Sequence, residues 1–447
     1  MKQNQLLWWS FVVSLGGFLF GFETAVISGC ERAIQQQWSL SEGMIGQIVA
    51  VSLYGTVIGA LFGGIPADRI GRKKTLLWIA VLYSVSAVGT ALAPDIWSLM
   101  VFRFIGGLAV GASSVVAPMY ISEIAPTEKR GRLTAMFQFN LVFGILMAYL
   151  SNYLIGSAEN EGWRWMLGML VPPAVLFTIL VPFVPESPRW LIVNKGHVEK
   201  ARKTLAIINP LTADAEIAAI RDAKPETTSP WSAFFSGKYN FPILLAFLIA
   251  FFNQVSGINA VIYYAPRIFS MTGMGDSTAL LSTAGIGLIN LVFTMLGLAL
   301  IDKMGRRFLM YVGSIGYIVS LSAIALAFFT KSEGGLVVPV LLFVFIASHA
   351  IGQGAVIWVF ISEIFPNHVR ALGQSFGCST HWVMAAIVSA AFPWFAKTFG
   401  GGPVFAVFAV MMVFQLLFVW RLMPETKGVS LEELERRLTR TTGLEKE

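Results

Sequence analysis

Twelve apolar runs, each long enough to cross a bilayer as a helix, leave this chain few folds to choose from. A hydrocarbon core takes ~20 helical residues to span. The runs fall at 7–29, 42–64, 75–93, 97–122, 133–155, 164–184, 241–268, 279–301, 308–330, 337–362, 372–396 and 403–423. The expected fold is therefore an all-α membrane protein with twelve transmembrane helices. Composition agrees. Of 447 residues, 56% are hydrophobic and 13% charged, whereas a soluble domain carries roughly 25% charged residues.

The net charge of +7 invites a nucleic-acid partner, but its distribution argues against one. Arg32, Arg103, Arg164, Arg267, Lys331 and Lys397 lie within the runs or on one side of them. The remaining Lys and Arg lie on the other side: at Arg69–Lys74, Lys129–Arg132, the 185–240 segment, Lys303–Arg307, Arg370 and the tail. That is the positive-inside bias. It predicts cytoplasmic termini, with the lipid bilayer as surroundings and no nucleic acid. Met1–Gln5 runs straight into the first span, which reads as a retained signal-anchor. Cys30 and Cys378 sit in different runs and make no disulfide framework.

The second half of the chain repeats the first. Asp302-Lys303-Met304-Gly305-Arg306-Arg307 echoes Asp68-Arg69-Ile70-Gly71-Arg72-Lys73. Ile361–Pro366 echoes Ile121–Pro126, and Pro424-Glu425-Thr426 echoes Pro185-Glu186-Ser187. Four segments follow: a six-helix half at 1–184, a polar linker at 185–240, a second six-helix half at 241–423 and a tail at 424–447. By transporter logic two like-oriented halves bind their solute at the midplane between them. Within the linker, Val198–Ile208 and Ala213–Ala223 read as short surface helices, too small a segment for a catalytic core. Ser39–Glu42 reads as a capping box ahead of span two, and Ser430 with Glu433 as one ahead of a tail helix. Gly55, Gly59 and Gly63 form a smooth face for close helix approach.

Residues 251–266 break the apolar pattern. Asn253, Gln254, Ser256, Asn259, Tyr263 and Tyr264 crowd around Gly257 inside a spanning run. Carboxamides at membrane depth are costly unless they face a partner or water, and the glycine weakens the helix where they cluster. A broken, amide-lined helix suits a polyhydroxylated solute.

Taken together, these motifs resemble the major facilitator superfamily. The paired Asp-Arg/Lys-x-Gly-Arg loops carry that resemblance. The two Ser-Glu-Ile-x-Pro segments, Pro-Glu-Ser-Pro-Arg-Trp, Asn-Gln-x-x-Gly-Ile-Asn and Pro-Glu-Thr-Lys-Gly look like its sugar porter branch. The likeness runs from the first span to the tail. Bacterial proton–sugar symporters for xylose, galactose or arabinose and animal glucose facilitators are of this kind.

The resemblance implies a monosaccharide site at Gln138, Gln254, Asn259, Tyr263, Asn290, Trp358 and Trp382, with Asn253 and His381 beside them. Carboxamides donate and accept, as sugar hydroxyls require, and aromatic faces suit the C–H side of a sugar ring. Helix–helix hydrogen bonding by interior amides is the alternative. Asn253 stands where many members have a glutamine, His381 replaces an amide, and Ile145 replaces a span-five glutamine of some members. His349 reads as a satisfied structural histidine or pocket wall.

Glu23 and Arg103 match the acidic residue and the arginine of proton-coupled members, which implies a proton as co-substrate. A static pair tying spans one and four is the alternative. Arg72, Glu123, Arg130, Glu186, Arg189, Asp302, Arg306, Glu363 and Arg370 match residues that form ion pairs between the halves and favour the outward-open state. Topological anchoring is the bland alternative. The implied activity is proton-coupled sugar symport by a monomer in a bacterial cytoplasmic membrane. A facilitative uniporter and a transport-like sensor are the rivals; the short tail argues against a sensor. No Gly-x4-Gly-Lys-Ser/Thr motif is present. The histidines at 197, 349, 368 and 381 are scattered, so neither an enzyme nor a metal or other cofactor is expected.

Overall fold

The computed structural model describes residues 2–126, 129–156, 161–210, 212–222, 232, 234–429 and 431–440. Among them twelve helices are long and apolar enough to cross a membrane: Gln5–Gln37, Glu42–Phe62, Arg72–Ala91, Ile96–Ile124, Gly131–Ile155, Gly162–Phe183, Asn240–Met271, Asp276–Met304, Arg306–Phe329, Val337–Glu363, Val369–Phe399 and Gly401–Arg421. They are spans one to twelve below. Span one is longer than its apolar run. Its helix continues through Glu31 and Arg32 to Gln37, and Glu31 is fully buried.

The boundaries have local causes. Asp95 accepts the N–H groups of Trp97 and Ser98 at 2.9 Å and starts span four. Ahead of span two the cap is Ser41, not the Ser39–Glu42 box. Ser39 has φ +48°, the helix begins at Glu42, and Met44 N–H donates to Ser41 Oγ at 3.2 Å. The Glu42 carboxylate is engaged elsewhere, with Arg267 at 2.5 Å and Lys397 at 3.5 Å.

The chain forms two compact units, Met1–Trp38 with Val51–Pro225, and Ser39–Ala50 with Glu226–Glu447. In the first, Gly55, Gly59 and Gly63 let span two lie against the backbone of span four. A Cβ on Gly55 would stand 2.9 Å from Leu108 N, and one on Gly63 2.8 Å from Ala112 Cα. The small-residue stripe thus packs helices, as expected. The linker helices Pro188–Val193, Val198–Ile208 and Ala213–Asp222 share one small apolar cluster of Trp190, Leu191, Ile192, Ala201, Leu205, Ala213 and Ile217. Ala223 lies outside the described residues.

In the second unit, span seven is two helices, Asn240–Val255 and Ile258–Met271. Gly257 joins them at φ +84°, in the left-handed region that favours glycine. The Ser256 hydroxyl bridges the break, donating to Asn253 O at 2.6 Å and accepting from Ile258 N–H at 3.3 Å. Span ten is interrupted too. A π-helical turn, Ala350–Gly354, separates Val337–His349 from Ala355–Glu363. Gly352 in that turn abuts Gly313 of span nine. A tail helix, Leu431–Arg440, buries Leu434 and Leu438. Its Glu435 accepts from Lys238 Nζ at 2.9 Å and Tyr239 OH at 3.0 Å. Ser430 lies outside the described residues, and the Glu433 carboxylate pairs with Arg436 and Arg437 at 2.8 Å each.

Candidate functional site

The break in span seven brings polar side chains together. Asn253 and Gln254 end its first helix, both buried. Gln254 Nε2 donates to Asn253 Oδ1 at 2.9 Å and lies 3.2 Å from both ring nitrogens of His381 on span eleven. The His381 ring stands edge-on to Trp382, centroids 4.8 Å apart, and 5.0 Å from Trp358 of span ten. Five of the expected residues thus form one continuous cluster. Gln254 Oε1, buried, has no hydrogen-bond partner among the described residues. An acceptor left open beside clustered aromatic rings can take a hydroxyl donor while the rings receive an apolar face.

The other expected residues are placed more loosely. Asn259 and Tyr263 are buried on the second helix of span seven, and Asn290 on span eight accepts from Thr294 at 3.3 Å. Gln138 is half-buried on span five, in the first unit.

Behind the cluster lie polar residues that no motif had singled out. Gln353, in the π-helical turn, receives Asn253 Nδ2 at 3.4 Å and donates to Gln415 Oε1 at 2.9 Å. Gln415 on span twelve donates to Ser314 at 2.8 Å. All three are fully buried. Only Gln415 stands as a lone polar residue in its span, and that was the available signal. His349 is bonded to Tyr317 OH at 2.5 Å, which fits the satisfied structural histidine.

In the first unit Glu23 on span one faces Arg103 on span four, 3.8 Å apart at Oε1 and Nη1. Both are buried. Gly106 leaves room beside the carboxylate, since a Cβ there would stand 3.0 Å from Glu23 Oε1 and closer still to Ser86 Oγ. Neither Glu23 Oε1 nor Ser86 Oγ has a hydrogen-bond partner among the described residues. Such groups suit a water or a moving proton better than a fixed bond.

The repeated loops build the same charge cluster twice. Arg72 grips Glu123 with two bonds, Nη2 to Oε1 at 2.9 Å and Nε to Oε2 at 3.0 Å. It also pairs with Asp68 at 3.0 Å. Glu186 Oε1 accepts the N–H groups of Arg72, Lys73 and Ser187 at 2.9, 3.1 and 2.9 Å. The second copy matches. Arg306 grips Glu363 at 2.7 and 3.1 Å and pairs with Asp302 at 3.0 Å. Glu425 accepts from Arg306 N and Arg307 N, both at 3.0 Å, and from Thr426 N at 2.9 Å. Gly71 and Gly305, at φ +100° and +91°, open each cluster. A Cβ at either would meet the glutamate carboxylate.

This arrangement corrects part of the expectation. The pairs made by Arg72 and Arg306 lie within their own units, because each arginine is claimed by the glutamate at the end of the next span. Arg370 donates to Phe365 O at 3.3 Å rather than to a carboxylate, and Arg189 is exposed. The side chain of Arg130 lies outside the described residues.

Three comparisons bear on the whole chain. The family model described as "Sugar (and other) transporter" matches residues 9–438. The chain is 38% identical over 439 residues to the D-xylose transporter of Levilactobacillus brevis, covering 97% of this chain and 96% of that one. It is 36% identical over 435 residues to the arabinose-proton symporter of Bacillus subtilis, covering 96% and 94%. Among solved structures, the partially occluded inward-open xylose transporter XylE from E. coli superposes with a TM-score of 0.84 at 33% identity, over 96% of this chain and all of that one.

Proposed function

Since this chain belongs to the sugar (and other) transporter family, we propose that it carries a monosaccharide across a membrane together with a proton, by alternating access. One observation carries the reading: the cluster of Asn253, Gln254, His381, Trp358 and Trp382 at the break in span seven, with an open acceptor on Gln254. Asn259, Tyr263 and Asn290 complete the sugar site in the second unit. Gly257 is the flexing point, and Tyr263 stands toward the outer gate.

Glu23 is the proton acceptor and Arg103 its counter-charge. Their separation supports this, since 3.8 Å attracts without locking the carboxylate in a hydrogen bond. The two arginine clusters hold the cytoplasmic ends of the helices, and their loosening accompanies opening inward. The protein acts as a monomer in the bacterial cytoplasmic membrane with both termini inside. The linker at 185–240 joins six-helix halves at 1–184 and 241–423. The supports are the positive-inside charge bias and the bacterial relatives.

The test is uptake in proteoliposomes with an imposed proton gradient. Accumulation above the outside concentration should require the gradient and vanish with an uncoupler. In Glu23→Gln, accumulation should fail while sugar counterflow continues. Uptake indifferent to the uncoupler would instead make the protein a facilitative uniporter.

A further inference from the structure

The direction of the amide chain behind the sugar cluster has a consequence for recognition. A carboxamide offers a donor on one side and an acceptor on the other, and turning it over exchanges them. Which face a ligand meets depends on what holds the amide. Here every amide nitrogen of the four carboxamides is spent on a partner within the protein. Gln254 Nε2 donates to Asn253 Oδ1 at 2.9 Å, and Asn253 Nδ2 to Gln353 Oε1 at 3.4 Å. Gln353 Nε2 donates to Gln415 Oε1, and Gln415 Nε2 to Ser314 Oγ, at 2.9 and 2.8 Å.

One bond sets that direction. Gln353 Nε2 also reaches the backbone carbonyl of Ile249 at 3.4 Å. A backbone carbonyl only accepts, so Gln353 turns its nitrogen to Ile249 and its oxygen to Asn253. Asn253 must then turn its nitrogen to Gln353 and its oxygen to Gln254. Gln254 in turn spends its nitrogen on Asn253 and the His381 ring, which leaves its oxygen open. Reversing any one amide would set nitrogen against nitrogen or oxygen against oxygen in a fully buried place, where unpaired polar groups are costly.

We propose that Gln353 and Gln415 are positioning residues that fix the amide of Gln254 as an acceptor, so that the site requires a hydroxyl donor from the sugar at that point. The proposal rests on the reading of the protein as a monosaccharide transporter. Neither glutamine touches the sugar; each acts through Asn253.

The experiment measures binding to the purified full chain in nanodiscs. The ligands are the sugar bound most tightly and its monodeoxyfluoro analogues. Fluorine replaces a hydroxyl without donating. In the wild type one analogue should bind at least about 10-fold more weakly than the parent sugar, the loss of one hydrogen bond to a buried acceptor. Gln254→Ala should abolish that penalty. Gln353→Met keeps the volume and removes the amide. It should weaken the parent sugar and shrink the fluoro penalty to below about 3-fold, because Gln254 can then turn its nitrogen outward. The double variant Gln353→Met/Gln254→Ala should match Gln254→Ala alone, since both lie on one line of action. Thr283→Val, which removes a hydroxyl that donates to Ala279 O of its own helix, should leave the penalty intact.

A fluoro penalty unchanged in Gln353→Met, or additive losses in the double variant, would overturn the proposal while leaving the transporter reading standing. A penalty that survives Gln254→Ala would do the same. If Gln353→Met does not fold, Gln353→Leu carries the same test, because it too removes the amide that orients Asn253. A wild type that binds no monosaccharide would overturn the transporter reading and this proposal together.

Discussion

Arg103 Nη1 stands 3.8 Å from Glu23 Oε1, close enough for strong attraction and too far for a hydrogen bond. The two side chains are 1% and 3% exposed, so the Glu23 carboxylate depends on Arg103 for neutralisation. Removing one partner of a buried pair leaves an uncompensated charge, which destabilises by about 3–5 kcal/mol. Arg103→Met should therefore lower stability by that order, and adding Glu23→Gln should restore most of it. Thermal unfolding of the single and double variants in detergent checks this. A double variant no more stable than Arg103→Met would mean that the pair does not govern either charge.

The twin arginine clusters predict matching phenotypes. Glu363→Gln removes one carboxylate from Arg306, and Glu123→Gln does the same to Arg72. These pairs are partly buried and doubly bonded, so each change should cost about 1–3 kcal/mol. Each should also raise labelling of cysteines placed on the first turns of spans three and nine, beside the clusters. Labelling that stays at the wild-type rate in both variants would remove the clusters from gating.

Gly257 offers a sharper steric test. Its φ of +84° disfavours any side chain, and a Cβ there would stand 2.5 Å from the Phe408 ring. Gly257→Ala should destabilise by at least about 1–2 kcal/mol from the backbone alone. Adding Phe408→Ala should relieve the ring clash but not the backbone strain. Chemical denaturation in mixed micelles would compare them. A stable, fully active Gly257→Ala protein would mean that the break needs no left-handed residue.

The tail clasp carries a pH dependence. Lys238 is held above its ordinary lysine value, chiefly by its hydrogen bond to Glu435, while partial burial opposes the shift. A raised folded value gives stability that is fully present at neutral pH and is lost as pH rises through it. The tail helix should stay docked through neutral pH and loosen only above the ordinary lysine range. Lys238→Met should loosen it already at neutral pH. Solvent screens this half-exposed pair, so backbone exchange over 431–440 should rise only about threefold. Equal exchange in the variant and the parent would assign the docking to Leu434 and Leu438 alone.

Much of the fold was legible because hydrocarbon imposes length and apolarity residue by residue. All twelve spans lie where the runs lie, and Gly257 interrupts span seven where the polar residues gather. The linker helix Val198–Ile208 has the bounds that its spacing and Asn209-Pro210 suggested. Charges lie beyond one boundary: the apolar run of span one stops at 29, yet its helix continues through Glu31 and Arg32. Ser39 and Ser41 both suit a cap, and only the backbone turn at Ser39 decides between them.

The candidate site was legible in composition and not in partnership. Asn253, Gln254 and His381 stood out as polar residues in apolar runs. That Gln353 and Gln415 join them depends on hydrogen bonds spanning 100 and 62 positions of sequence. No local pattern encodes such pairings. The arginine clusters show the same limit, since the repeated motifs named the residues but not which glutamate each arginine grips.

The π-helical turn at Ala350–Gly354 carries one residue more than a regular helix needs. Such a turn absorbs an inserted residue while the helix on either side keeps its faces. A three-base deletion within 350–354 would therefore leave Trp358 and Glu363 on their present sides of span ten and turn Gln353 away from Asn253. Among genes descended from a common ancestor, a change in length at this one place could alter the pocket's chemistry while the scaffold around it stayed the same.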